Sequence, residues 1–243
     1  MYESTSGGIV IKEYRNEWKF CCDENDLEIL RNRLDAILEK DAYGDDNGRY
    51  EIHSLYFDDY KDTCMRENDA GISERAKYRI RYYGDRSDSI RLERKEKRDG
   101  RGRKRICLLS GADYRKIVDG AADELFWQTK DPLLQQFCMQ CMTRKFMPKA
   151  IIAYERTAYV EDISHIRVTL DQNISVSDDL SHFLDGDYMR YPIQEKQMHV
   201  LEVKFDYILP GYIKHLITNR NLSQSSFSKY GLGRRTLQDR GRL

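Results

Sequence analysis

An alternating run of basic and apolar side chains, ERAKYRIRYYG at Glu74–Gly84, limits most strongly how this chain can fold. Successive side chains of a β-strand point to opposite faces, so this segment predicts a strand with one cationic face and one apolar face. The cationic face holds Arg75, Lys77, Arg79 and Arg81. The fold therefore depends on which of these two faces lies inside the protein.

The same alternation recurs in other segments that predict strands. Charged or polar residues share one face of each segment, and apolar residues share the other. The charged or polar faces carry Glu17 and Lys19; Arg91, Glu93, Lys95 and Lys97; Tyr154 and Arg156; Arg167; and Glu202 and Lys204. Two arrangements fit this pattern. An antiparallel sheet can bury its apolar face under helices and leave the charged face in water. Alternatively, the sheet closes into a barrel, which removes exposed edges and directs the charges into a lumen.

The connections between these strands predict one domain. Asp99-Gly100 between two alternating runs indicates a β-hairpin. Leucines at helical spacing predict a helix with Asp23 or Asn25 as its N-cap. We also expect a short helix capped by Ser110, a helical segment interrupted or restarted near Pro132, and a helix after Pro210. Without a repeat or a clear linker, we expect a single domain over residues 1–243, with a core at about 14–231 and a basic tail at 232–243.

Charge is distributed unevenly along this chain of 243 residues. It has 41 Lys and Arg and 41 Asp and Glu, yet residues 74–105 hold 14 basic against 6 acidic residues, a net charge of +8. A local basic concentration in a neutral chain favours a focused anion site over a general attraction to nucleic acid or membrane, and we expect no nucleic acid as a partner. Enclosed cations without partners are costly, and a ligand with several phosphates would offset that cost. Glutamates among them could hold a divalent metal ion.

Cysteines and hydropathy bear on the compartment. We find no signal peptide and no apolar run approaching the roughly 18 residues of a membrane span, and therefore expect a cytoplasmic protein. The 6 cysteines are then reduced thiols. Cys138 and Cys141 form a lone CxxC pair, which fits the apolar side of a helix better than a zinc site.

Eight segments in order resemble a known family: YRNEWKF, HSLYFDD, KYRIRYYG, LERKEK, YERTAY, RVTLD, LEVKF and SFSKYG. They are similar to the vacuolar transporter chaperone (VTC) domain, a polyphosphate polymerase family of the triphosphate tunnel metalloenzyme (CYTH-like) superfamily. The resemblance covers about Tyr14 to Gly231. It implies an α+β fold, with a closed antiparallel β-barrel and helices packed outside. It also implies a transferase that adds the terminal phosphate of ATP to polyphosphate, with Mn²⁺ or Mg²⁺. Pyrophosphate or phosphate would be the first acceptor.

The resemblance also implies roles for particular residues. Residues expected to stabilise the transferred phosphate are Arg79, Arg81, Arg156 and Lys229. Residues expected to bind the substrate are Lys19, Lys95, Lys104, Tyr154, Arg167, Lys204 and Ser228. Metal ligands are expected at Glu202 and Glu17.

Departures from the family pattern keep other functions open. Arg15 stands where the wider superfamily has the first glutamate of ExExK, which favours the polymerase branch but makes Glu17 a less secure ligand. Ser226 occupies a position that is basic in some relatives. The alternatives are a tripolyphosphatase or nucleoside triphosphatase in the same tunnel, and a polyphosphate-binding module without catalysis. Regulatory SPX and membrane segments of eukaryotic relatives are not in this chain. Its oligomeric state cannot be inferred.

Overall fold

One antiparallel sheet organises the protein. The structure, a computed structural model, describes residues 14–42, 44–45, 47–84, 89–193, 198–218 and 222–241. The strands are β1 (Asn16–Cys22), β2 (Glu39–Lys40), β3 (Arg49–Asp58), β4 (Arg75–Tyr83), β5 (Ile90–Arg98), β6 (Arg101–Leu109), β7 (Met147–Glu161), β8 (Ile166–Ser177), β9 (Tyr191–Pro192), β10 (His199–Phe205) and β11 (Ser223–Gln224). The alternating segment IKEYRNEWKF predicts a first strand from residue 11, and residues 11–13 lie outside the described part.

The helices lie where leucine spacing, caps and prolines predicted most of them. They are α1 (Glu24–Asp35), α2 (Thr63–Asp69), α3 (Gly111–Val118), α4 (Ala122–Gln128), α5 (Pro132–Arg144), α6 (Gly211–Ile217) and α7 (Lys229–Asp239). Asp23 and Ser110 cap α1 and α3 by accepting hydrogen bonds from the first-turn amides. Among the described residues, no helix is long and apolar enough to cross a membrane.

The strand order follows the antiparallel pairing expected from the alternation. Its main path is β11-β1-β10-β8-β7-β3-β4-β5-β6, while β2 pairs with β7 and β9 pairs with β8. The predicted hairpin joins β5 to β6 through Asp99 and Gly100, whose φ angles are 48° and 79°. Positive φ at both central residues is the requirement of a type I′ turn, which explains the Asp-Gly pair.

The sheet curls until its two ends approach, but it does not form the closed barrel expected from the sequence. Arg15 and Gly102 exchange two backbone hydrogen bonds of 2.9 and 2.8 Å in an isolated bridge. In the described ranges this bridge does not extend into a ladder between β1 and β6. Side chains also join the two ends of the sheet, because Lys95 Nζ of β5 donates to Glu17 Oε1 of β1 at 2.8 Å. The backbone bridge and this ion pair form what we call the seam. The observed architecture is therefore α+β with a curled antiparallel sheet.

Helices cover the apolar convex face of this sheet. Leu55, Ile80 and Leu92 pack with residues of α3, α4 and α5, including Leu125 and Phe137. A second apolar cluster joins β1, β8 and β10 to α1 and α6. Burial of this face contributes roughly 25 cal/mol per Å² of apolar surface, so it directs the opposite, charged face inward.

Helix α7 occupies part of the concave face. Residues 232–239, expected to belong to a basic tail, are helical, and Tyr230 and Leu237 pack against an apolar cluster that includes Ile152 and Val176. Gly233 permits this contact, because a Cβ there would lie 2.5 Å from Ile152 Cδ1. The basic composition of the segment is explained by ion pairs to α2 and its N-cap, such as Arg234 Nη1 to Asp62 Oδ1 at 2.8 Å.

Candidate functional site

Strand register brings the candidate residues to one concave surface. Directly opposite residues of paired strands share a face. Tyr56 lies opposite Arg79, and Arg79 lies opposite Glu93. Lys95 lies opposite Lys104 in the neighbouring strand pair. Across the other part of the sheet, the opposed pairs are Arg156–Asp171, Arg167–Lys204 and Glu202–Lys19. The predicted cations therefore share the inside of the curled sheet.

Glu93 is the centre of one charged cluster. Its side chain is fully buried, with Arg79 Nη2 at 2.6 Å, Lys104 Nζ at 2.9 Å and Arg81 Nη1 at 3.9 Å. Burial by itself would raise the pKa of Glu93, but these three cations hold it well below its ordinary value. The alternation placed Glu93 on this face among the glutamates expected to neutralise part of the positive charge. Its contacts identify it as the anion that organises Arg79 and Lys104.

Tyrosines orient the two arginines of β4. Arg79 Nη1 donates to the Tyr56 hydroxyl at 2.8 Å, and Arg81 Nη2 donates to the Tyr154 hydroxyl at 3.1 Å. Although burial raises the pKa of Tyr56, Arg79 and Arg81 outweigh it and lower the pKa to about 8. Both tyrosines therefore contact cations of the predicted site, although the sequence assigned a site role to Tyr154 alone.

Lys19 lies between the two predicted metal ligands. Its ammonium is 3.4 Å from Glu17 Oε1 and 3.5 Å from Glu202 Oε2, and it donates to the Phe227 carbonyl at 3.0 Å. Lys204 forms an ion pair with Glu202. Burial and Glu202 both raise the pKa of Glu17, but Lys19 and Lys95 hold it at about 2. Both glutamates are therefore ionised.

Asp171 links the sheet to α7. It accepts from Arg156 at 2.6 and 2.7 Å and lies 2.6 Å from Lys229 Nζ. Burial would raise the pKa of Asp171, yet Arg156 and Lys229 lower it to about 2. Lys229 also lies 4.8 Å from the centre of the Tyr154 ring. The alternation in β8 puts Asp171 on the same face as Arg167. Its partner Lys229 is far away in the sequence, so this ion pair could not be predicted from local patterns.

Lys77 is a buried cation of a different kind. It donates to Asn68 Oδ1 at 2.9 Å and to Ser228 Oγ at 3.1 Å. Among the described residues, no carboxylate lies within ion-pair distance of its ammonium. Burial is the main reason that its pKa falls to about 8, and Lys19 and Lys95 lower it further.

Two predicted substrate-binding residues have structural partners. Arg167 reaches Asp41 Oδ2 at 2.5 Å and the Tyr50 hydroxyl at 3.0 Å. Ser228 caps α7 by accepting from the Gly231 amide at 3.2 Å. Arg167 lies on the concave face, and Ser228 lies at the start of α7, which packs on that face. A role in substrate binding remains a prediction for each.

A model of the VTC domain matches residues 14–238. The chain belongs to the VTC domain family. None of the curated proteins matches the chain by sequence.

Solved structures resemble this VTC domain at low identity. One is HpAC1 from Hippeastrum, named as a candidate adenylyl cyclase and described as having a dominant triphosphatase activity. It has a TM-score of 0.55 and 13% identity, over 91% of this chain and 96% of that chain. Another is a candidate adenylate cyclase from Bacillus halodurans, with a TM-score of 0.45 and 10% identity, over 95% and 91% of the two chains. The first likeness shows a shared fold.

The two convergent carboxylates of the VTC domain are too few to hold a metal ion without further ligands. Among the described residues, no group of three or more His, Cys, Asp or Glu side chains could hold a metal. Glu17 and Glu202 nevertheless converge on one ammonium and supply the oxygen donors that Mg²⁺ and Mn²⁺ prefer. Mg²⁺ is commonly bound through one or two carboxylates plus substrate phosphates. The pair fits that pattern and not a complete protein cage.

Basic side chains outnumber carboxylates on the concave face of this VTC domain. Among the described residues, the carboxylates are Glu17, Glu93, Asp171 and Glu202, with Asp41 beside Arg167; the cations include Lys19, Lys77, Arg79, Arg81, Arg91, Lys95, Lys97, Lys104, Arg156, Arg167, Lys204 and Lys229. Arginine forks match phosphate oxygens in two-point contacts, and ammonium groups add point charges. The arrangement can therefore hold several adjacent phosphates.

Proposed function

We propose that this VTC domain is an ATP-dependent polyphosphate polymerase, which transfers the terminal phosphate of ATP to a growing polyphosphate chain. The observation that carries the proposal is the excess of cations over carboxylates on one concave face. A row of phosphates would offset that excess along the length of the face. Family membership supports polymer synthesis as the use of the site, with pyrophosphate or phosphate as the first acceptor.

Positioning and charge neutralisation would perform the transfer. Arg79 and Arg81 project from one strand, each already oriented by a tyrosine hydroxyl. Arg156 and Lys229 approach from another side and share Asp171. In-line phosphoryl transfer needs little covalent chemistry from the protein, because stabilising the equatorial oxygens and aligning the two reacting oxygens accounts for most of the catalysis. We assign these four cations to that task.

The remaining cations would bind the phosphates on either side of the reacting one. Lys95 and Lys104 lie on neighbouring strands, and Lys19 and Lys204 lie beside the two glutamates. We propose that Glu17 and Glu202 hold Mn²⁺ or Mg²⁺, which would neutralise charge on the bound phosphates. We also propose that the bound ligand draws the seam together, so that the curled sheet encloses it as a tunnel. A cytoplasmic location stays a prediction.

A hydrolase is the second candidate. The fold shared with HpAC1, which is described as a triphosphatase, favours this alternative. In that case water, and not a phosphate chain, would occupy the acceptor position beside Arg79 and Arg81.

The product distinguishes the two candidates. We expect the protein, given ATP and Mn²⁺, to form ADP and long polyphosphate, seen on a gel, with little orthophosphate released. The measurement compares ADP formed with orthophosphate released over the same time. Equal amounts and no polymer would identify a triphosphatase and reject the polymerase. Binding of ATP without any ADP would leave the non-catalytic module.

A further inference from the structure

The hairpin of β5 and β6 is basic on both of its faces. Residues 94–105 contain eight Lys and Arg and two acidic residues. Cross-strand register places Lys95, Lys97 and Lys104 on the concave face. The arginines alternate with these lysines and lie on the convex face: Arg94, Arg98, Arg101, Arg103 and Arg105. The site described above uses only the concave side.

The convex face changes character abruptly along this hairpin. The opposed pairs Ile90–Leu109 and Leu92–Cys107 belong to the apolar core beneath the helices. The next pairs on the same face are Arg94–Arg105, Glu96–Arg103 and Arg98–Arg101. The apolar stripe thus ends and an arginine surface begins. Arg98 is 61% exposed in its side chain, and Arg101 at the tip is exposed.

One carboxylate serves three of these arginines. Glu96 pairs with Arg94, with Arg103 at 2.5 Å and with Arg105 at 3.1 Å. Each guanidinium carries five N–H donors, so Glu96 can satisfy only a minority of them. The Nε atoms of Arg94 and Arg105 are buried without a hydrogen-bond partner among the described residues. Arg105 also donates to Gln136 Oε1 at 2.5 Å, and the buried Nε atoms cannot reach a ligand outside the protein. What the cluster offers a polyanion is therefore its net positive charge.

We infer that the convex face of the β5–β6 hairpin is a second phosphate-binding surface, which holds the part of a polyphosphate chain that lies outside the concave face. The hairpin tip connects the two surfaces, because Lys97 on the concave side is followed directly by Arg98 on the convex side. A flexible polyanion passing the tip meets cations on both sides of it, with Asp99 in the turn and Glu74 Oε1 beside Arg98 Nε at 2.9 Å as the acidic groups there. The choice of polyphosphate as ligand rests on the proposed function.

Binding of ready-made polymer tests this inference without requiring turnover. The variant Arg98→Gln/Arg101→Gln removes two exposed charges at the tip. We expect its affinity for long-chain polyphosphate to fall, and the slope of log affinity against log salt to decrease by about 1 for each phosphate contact removed. Tripolyphosphate, which fits the concave face alone, should bind as it does to the parent.

Two further variants control the measurement. Arg33→Gln/Lys214→Gln removes the same charge from exposed positions of α1 and α6 and should leave polymer binding unchanged. Glu96→Gln releases the arginines from their shared carboxylate, so it should tighten binding of the long polymer. These opposite effects exclude loss of folding as the explanation.

Three outcomes would overturn the inference. The first is an unchanged affinity and salt slope in the tip variant, and the second is an equal loss for tripolyphosphate and polymer. The third is a competition result, in which single-stranded RNA displaces bound polyphosphate at a lower total phosphate concentration than added polyphosphate does. That result would identify a nucleic-acid surface. If ATP yields no polymer but the tip variant still loses polymer binding, the polymerase proposal fails and the hairpin surface stands.

Discussion

Lys77 differs from Lys19, Lys95 and Lys204 because an amide oxygen and a hydroxyl, not a carboxylate, accept from its ammonium. In the unfolded chain its pKa is 10.5, whereas burial lowers the pKa to about 8 in the folded protein. Between these two pH values the unfolded state binds more protons, so stability rises with pH. Below about pH 8, Lys77 is protonated in both the folded and the unfolded state, and the free-energy cost of burying its charge is fully present.

We therefore expect Lys77→Met to reduce the rise in unfolding free energy between about pH 8 and pH 10. Because one pKa unit corresponds to about 1.4 kcal/mol, the charge of Lys77 costs at most about 3.5 kcal/mol at neutral pH. Urea unfolding of parent and variant across this range measures the difference. The same substitution at Lys214, exposed on α6, is the control. Parallel curves for parent and Lys77→Met would contradict the assignment.

At the scale of single elements, α7 shows how closely one helix can approach the sheet. Gly233 faces Ile152 with room for no Cβ, while a Cβ at Gly231 would meet its neighbours at ordinary distances of 3.4 to 3.6 Å. Both glycines weaken the helix to a similar extent, but only one of them is required by packing.

This difference predicts opposite results for two alanine substitutions. Gly233→Ala should destabilise the protein by about 1–3 kcal/mol, because the added methyl overpacks the contact with Ile152. Gly231→Ala should be neutral or should stabilise by up to about 1 kcal/mol, because it improves helix propensity. Urea midpoints with an unchanged slope measure both. Equal effects of the two substitutions would mean that the helix does not press on the sheet at Gly233.

Strands and most helices were predictable from local patterns, whereas α7 was not. Alternation in segments such as Arg75–Tyr83, the Asp99-Gly100 turn and the cap at Ser110 each act within a few residues. In α7 the inward-facing positions include Gly233 and Arg234 in place of an apolar stripe, so the sequence resembled a polar tail. Asp62, which pairs with Arg234, is 172 residues away in the chain.

At the scale of the whole molecule, the contacts that join the two ends of the sheet include the Arg15–Gly102 backbone bridge and the Lys95–Glu17 ion pair. Alternation identified the face of each strand, but closure depends on register between β1 and β6, which neither strand encodes locally. This is why the shared concave face could be predicted and the extent of closure could not. Pairs such as Lys229 with Asp171 were hidden for the same reason.

The seam should tighten when phosphates bind. Bound tripolyphosphate offsets repulsion among the concave-face cations, so the amides of Arg15 and Gly102 should exchange hydrogen more slowly than in the free protein. Amides inside the β4–β5 ladder serve as the control, since they are already paired on both sides. Hydrogen exchange measured residue by residue tests this. Faster or unchanged exchange at both seam amides, with tripolyphosphate bound, would contradict closure.

The contact of Lys19 with the Phe227 carbonyl, and of Lys229 with Asp171, has a consequence for biosynthesis. The ribosome makes β1 before any other strand of the sheet and makes α7 after all of them, so the basic surface is assembled before its last cation arrives. A nascent chain halted before α7 would leave Asp171 without Lys229 and the apolar residues around Ile152 uncovered. Chaperones and proteases that recognise exposed apolar surface could then tell an unfinished copy from a complete one.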